Sequence, residues 1–63
     1  MTNLKRIREK TGLSQSGLAE KSGVSVRMIQ YYEQGVKDIN KAAVITVLKL
    51  ADALGVDVRE LIE

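Results

Sequence analysis

Four of the five glycines of this chain, at residues 12, 23, 35 and 55, each close a stretch in which apolar residues recur at helical spacing. Ser14, Ser25, Asn40 and Asp57 open the stretches in between. Glycine accepts the left-handed conformation that ends a helix, and Ser, Asn and Asp supply the oxygen that starts one. No residue is proline and no segment alternates apolar with polar. The pattern predicts an all-α chain of five helices over about 2–10, 15–22, 26–34, 41–54 and 58–62. With no linker, repeat or low-complexity stretch, residues 1–63 read as one domain.

A chain this short closes one core and no more. It has no Cys and no His, which leaves neither disulfide staples nor a plausible zinc site. Its only aromatic residues are two Tyr, so the core must come from aliphatic side chains. The expected core is Leu4, Ile7, Leu13, Leu18, Ala19, Val24, Ile29, Tyr32, Val44, Val47, Leu48, Ala51, Leu54, Val56, Leu61 and Ile62. No run approaches the roughly 20 apolar residues of a membrane span, and the polar start lacks a signal-peptide core. A soluble, cytoplasmic protein without metal or cofactor is the expectation.

Charge is divided unevenly along the chain. Residues 1–37 carry seven Lys or Arg and three Glu, a balance of +4, whereas residues 38–63 carry three basic and five acidic groups, a balance of −2. The first part is where a polyanion would be met. Enzymatic chemistry is not expected. Neither His nor Cys is available, there is no Gly-rich phosphate loop, and no paired carboxylates suggest a general acid and base.

Between the second and third helices lie only Gly23, Val24 and Ser25. So short a connection demands a tight turn between steeply crossed helices, with Gly23 at positive φ and the small Ala19 where the backbones approach. On a wheel of about 100° per residue, Met28, Ile29 and Tyr32 share one side of the third helix. Val26, Arg27, Gln30, Tyr31 and Gln34 occupy the other. An α-helix fits the DNA major groove, where Arg pairs with guanine, Gln with adenine, and Val meets a thymine methyl. Arg8, four residues after Leu4, falls on the apolar side of the first helix, where an unpaired charge is costly. Glu33, at the edge of the third helix's core face, is its expected partner.

The stretches Gly12-Leu13-Ser14-Gln15, Leu18-Ala19-Glu20-Lys21-Ser22-Gly23-Val24-Ser25, Ile29-Gln30-Tyr31-Tyr32-Glu33-Gln34-Gly35 and Leu50-Ala51-Asp52-Ala53-Leu54-Gly55-Val56 together resemble the phage repressor and Cro-like helix-turn-helix family, the Xre family of bacterial regulators. The resemblance covers nearly the whole chain. It implies a compact five-helix, lambda-repressor-like domain that binds double-stranded DNA. Gln15, Ser25, Gln34 and Lys37 correspond to phosphate contacts, and Val26, Arg27, Gln30 and Tyr31 to positions facing base edges. Arg8 and Glu33 match the family's buried ion pair. The chain departs from the pattern at Gly17, where a polar helix former is usual, and at the bulky pair Tyr31-Tyr32.

The function this implies is sequence-specific transcriptional regulation, of the repressor type, by a cytoplasmic, nucleoid-associated protein. One domain has a small footprint, so a homodimer on a two-fold operator is expected, with contacts around Leu54, Val56, Val58 and Arg59. No small-molecule effector is expected of a chain with room for one domain. The alternatives are the DNA-binding antitoxin of a toxin-antitoxin pair, and a protein-interaction module that kept the fold. A toxin-binding extension would mark the first, and the absence of acidic residues from the outward face of the third helix speaks against the second.

Overall fold

The computed structural model describes residues 1–63. Four α-helices follow one another: α1 (Asn3–Lys10), α2 (Gln15–Ser22), α3 (Val26–Gln34) and α4 (Val44–Leu54). Single 3-10 turns at Ile39–Lys41 and Val58–Glu60 flank α4.

The start signals operate as side-chain caps. Thr2 Oγ1 accepts the Lys5 amide, Ser14 Oγ the Gly17 amide and Ser25 Oγ the Met28 amide, each satisfying a donor left free by the first helical turn. At the α2–α3 junction Gly23 sits at φ +79° and its amide bonds back to the Ala19 carbonyl. The Val24 amide is taken by Ser22 Oγ, and the Val24 side chain is buried, so the turn is tightened locally and anchored in the core through Val24.

Leu4, Leu18, Ile29, Leu50 and Leu61 are the most deeply buried large side chains, one from each α-helix and one from beyond the last turn. α4 packs most extensively on α2, and α2 on α3. α3 therefore rests on α2, which rests in turn on the apolar strut α4.

Expectations for the fourth helix and for the segment after it are corrected. The fourth helix begins at Val44, not near Lys41. Asp38, not Asn40, caps the segment before it, and Ala43 opens α4 with no side-chain cap. Inward-facing positions on α4 are Val47, Leu50, Ala51 and Leu54, spaced i, i+3, i+4, i+7. Val44 (72% exposed) and Leu48 consequently face outward, and Leu50 and Ala53 join the core, as does Ile39 from the preceding turn.

The fifth helix is only a 3-10 turn, closed by Asp57 and Glu60 in a reciprocal capping box. Beyond it Asn3 Nδ2 donates to the Ile62 carbonyl and Asn40 Oδ1 accepts the Glu63 amide. Leu61 is buried as expected, while Ile62 is turned out to solvent.

Candidate nucleic-acid interface

Two rows of contacts hold α3 to the body. Ile29 and the ring of Tyr32 are buried in the core, with Met28 half-buried beside them. At the C-terminal end stands the pair expected from the helix wheel. Arg8 Nε donates to Glu33 Oε2 at 2.6 Å and Nη2 to Oε1 at 3.0 Å, a two-point contact between a guanidinium 10% exposed and a carboxylate 2% exposed. The remaining Arg8 nitrogen, Nη1, donates to the Leu13 carbonyl at 2.8 Å. Arg8 thus joins α1, the α1–α2 turn and α3. The hydrogen bond to Glu33 raises the pKa of Arg8 above its ordinary value, outweighing burial, so the guanidinium stays charged throughout the accessible range.

A further side chain belongs to this pair. Gln15, the first residue of α2, donates from Nε2 to Glu33 Oε1 at 3.0 Å, and its own Oε1 accepts from Gln30 Nε2 at 3.4 Å. All buried side-chain polar atoms of the molecule are hydrogen-bonded. The bonds to Gln15 and Gln30 were not legible from the sequence, because Gln15 lies eighteen residues before Glu33 and fifteen before Gln30, and no local periodicity relates them.

The opposite face of α3 is open. Val26, Arg27 and Gln34 are exposed, and Gln30 and Tyr31 half-buried along the edge that meets α2. No charged side chain other than Arg27 stands among these five. Ser25 is exposed at the N-terminus of α3, its oxygen engaged with the Met28 amide and its hydroxyl hydrogen free to donate. At the other end Gly35 turns at φ +78°, and the amides of Val36 and Lys37 both reach the Tyr31 carbonyl. This sends the chain away from the helix axis and leaves Lys37 exposed beside the end of α3. Lys41 lines the same open groove of about 430 Å³, together with Met28, Tyr32 and Thr46. The arrangement is a narrow helix face carrying one guanidinium, amides, a phenol and a small apolar group, with Lys37 exposed beyond its C-terminal end.

These features define a helix-turn-helix unit, and the chain matches the family described as helix-turn-helix over residues 4–61. It belongs to that family of DNA-binding regulatory domains, in its Xre and Cro-like branch. No curated protein and no solved structure matches the chain significantly.

Proposed function

We propose that the chain is a sequence-specific transcriptional repressor that places α3 in the major groove of an operator and blocks transcription by occupancy. The observation that carries this reading is the outward face of α3. Val26 and Arg27 are exposed and Gln30 and Tyr31 half-buried on a helix whose other side is locked by Ile29, Tyr32 and the Arg8–Glu33 pair. A reader held rigidly loses little conformational freedom on binding. Arg27 suits guanine, Gln30 adenine and Val26 a thymine methyl, with Tyr31 packing at the groove edge. Ser25, Gln34 and Lys37 are exposed at the two ends of α3, and Gln15 keeps one N–H beyond its bond to Glu33, so these four can serve as donors to phosphate.

Two copies on a two-fold site would supply the footprint that one domain lacks. Leu54 is buried and cannot serve as a dimer contact. The outer face of α4, with Val44, Ile45 and Leu48 exposed and Lys49 and Asp52 beside them, supports self-association better, because a two-fold axis would bring Lys49 of one copy toward Asp52 of the other. Such a repressor works in the cytoplasm, on the nucleoid.

Selection of the purified chain on random DNA duplexes at low and physiological salt tests the reading. A repressor enriches a short palindrome with half-sites roughly one helical turn apart. Retention that ignores sequence and vanishes with salt would reduce the chain to a general DNA-binding fragment. No retention at either salt would reject DNA binding altogether.

A further inference from the structure

Met28 and Tyr32 stand one turn apart on α3, and side chains on a helix lean toward its N-terminus, which brings Tyr32 over the turn that carries Met28. Both line the open groove of about 430 Å³ between α3 and the start of α4. Tyr32 is only 6% exposed, and its hydroxyl takes part in none of the molecule's hydrogen bonds. Every buried side-chain polar atom is bonded, so this hydroxyl reaches solvent at the groove wall as a donor without an acceptor. Asp38, the one carboxylate lining the groove, accepts the Asn40 amide, and Lys37 and Lys41 add donors only. Met28 brings a thioether to the same wall, half-buried and packed against the core. The chain has no Cys and two Met, the other being Met1, 86% exposed ahead of α1. A peroxide therefore meets no thiol, and Met28 is the one readily oxidised sulfur within the folded body.

We propose that Met28 is a site of reversible oxidation by hydrogen peroxide, that the Tyr32 hydroxyl holds the resulting sulfoxide, and that the modification releases α3 from DNA. The sulfur lone pair attacks one peroxide oxygen and breaks the O–O bond. The departing hydroxide takes the proton from the transferred oxygen and leaves as water, so sulfur is oxidised by two electrons and the peroxide reduced by two. The new S–O bond places a strong acceptor in a groove whose donors lack one. It also makes polar a side chain through which α3 rests on the core. The first turn of α3, which carries Val26 and Arg27 and is capped through the Met28 amide by Ser25 Oγ, then loses part of its support. The release from DNA rests on the reading of α3 as a groove-binding helix, whereas the oxidation and its capture by Tyr32 do not.

The whole chain is treated with hydrogen peroxide, and peptide mass mapping should place one added oxygen on Met28 after Met1 has reacted. Oxidised wild type should bind its selected duplex about tenfold more weakly, the scale of one polar group set on apolar surface. Methionine sulfoxide reductases should restore it. Met28→Leu keeps the apolar bulk and removes the sulfur, so its affinity should survive peroxide although Met1 is still oxidised. Tyr32→Phe loses only a hydroxyl that had no partner and should leave the reduced protein as stable as the parent. In denaturant titrations without DNA, oxidation should then lower its folding equilibrium constant about fivefold more than that of the wild type, the scale of one hydrogen bond. Met28 left unmodified once Met1 is fully oxidised would overturn the proposal. Equal costs of oxidation in the wild type and Tyr32→Phe would refute the capture by Tyr32. Unchanged affinity of the oxidised wild type for its selected duplex would refute the release and leave the groove-binding reading intact. A reduced wild type that selects no duplex would overturn that reading and the release together, while the Tyr32→Phe comparison still decides the site.

Discussion

Replacing Arg8 by Ala should be among the most damaging single substitutions in the molecule, although Arg8 lies outside the outward face of α3. The change removes both hydrogen bonds to Glu33 and the bond to the Leu13 carbonyl, and leaves a carboxylate that is 2% exposed with Gln15 as its remaining donor. Stranding one member of a buried pair costs about 3–5 kcal/mol. A domain of this length has a total stability of roughly 3–9 kcal/mol. The loss is therefore comparable with everything that holds the fold, and the melting temperature should drop by at least about 12 °C. Thermal melts followed by circular dichroism measure this directly, with Arg59→Ala as the control. Arg59 pairs with Asp57 at 3.1 Å, but both are solvated, and that variant should melt close to the parent. The double variant Arg8→Met, Glu33→Leu replaces the pair with apolar groups and should recover most of the loss. An Arg8→Ala melt no lower than that of Arg59→Ala would show that the pair contributes nothing beyond a surface contact. A double variant as unstable as the single would locate the loss in packing and not in the stranded charge.

Arg27→Ala should cost about 1–3 kcal/mol of binding and relax preference at one base pair, as read by selection and by titration on the enriched site. Lys37→Ala should weaken binding to all duplexes alike and lower the slope of log affinity against log salt by about one. Gly17→Ala sets a helix-propensity gain of about 1 kcal/mol against a new Cβ lying 3.2 Å from Ser14 Oγ, the oxygen that caps α2. Because that oxygen is held by the Gly17 amide itself, the gain should be cut to a small fraction in a denaturant titration. Asp57 is held down to about 2 by the side-chain and then the backbone hydrogen bonds from Arg59. A depressed carboxyl favours the folded state above its ordinary value of 3.8 and ceases to do so as pH falls through about 2. An NMR titration should find that midpoint, and Arg59→Ala should return it toward the ordinary value.

What the sequence made legible, and what it hid, follows from how each signal works. Ser14, Ser25 and Asp57 cap helical segments, and Gly23, Gly35 and Gly55 end α-helices at positive φ, because these are local backbone requirements written in single residues. The Arg8–Glu33 pair was legible because each charge sat on an otherwise apolar face. α4 was misread for the opposite reason. It is apolar at every position except Thr46, Lys49 and Asp52, so a helix wheel has little contrast to orient it. Val44 and Leu48 were therefore assigned inward, and Leu50 and Ala53 overlooked. Asn40 looked like a cap, which is the common use of Asn before an apolar run, but its side chain is committed to Glu63 far along the chain. At the candidate site, the outward residues of α3 could be named from local periodicity. The link through Gln15 could not, since it exists only once α2 and α3 have packed.

The hydrogen bonds that hold the last residues also bear on how the chain assembles. Asn3 and Glu63 are joined across a separation of sixty residues, and Asn40 and Glu63 across twenty-three, so side chains clasp the stretch after the last turn to the start of α1 and to the turn before α4. Closing a loop costs entropy that rises only with the logarithm of its length, but exposed hydrogen bonds repay little of it until the core has drawn the ends together. The clasp is therefore a late event in folding and the first to open by local fluctuation. Amide exchange at Glu63 should run far ahead of exchange at Ile29, and breaking the clasp should accelerate unfolding more than it slows folding.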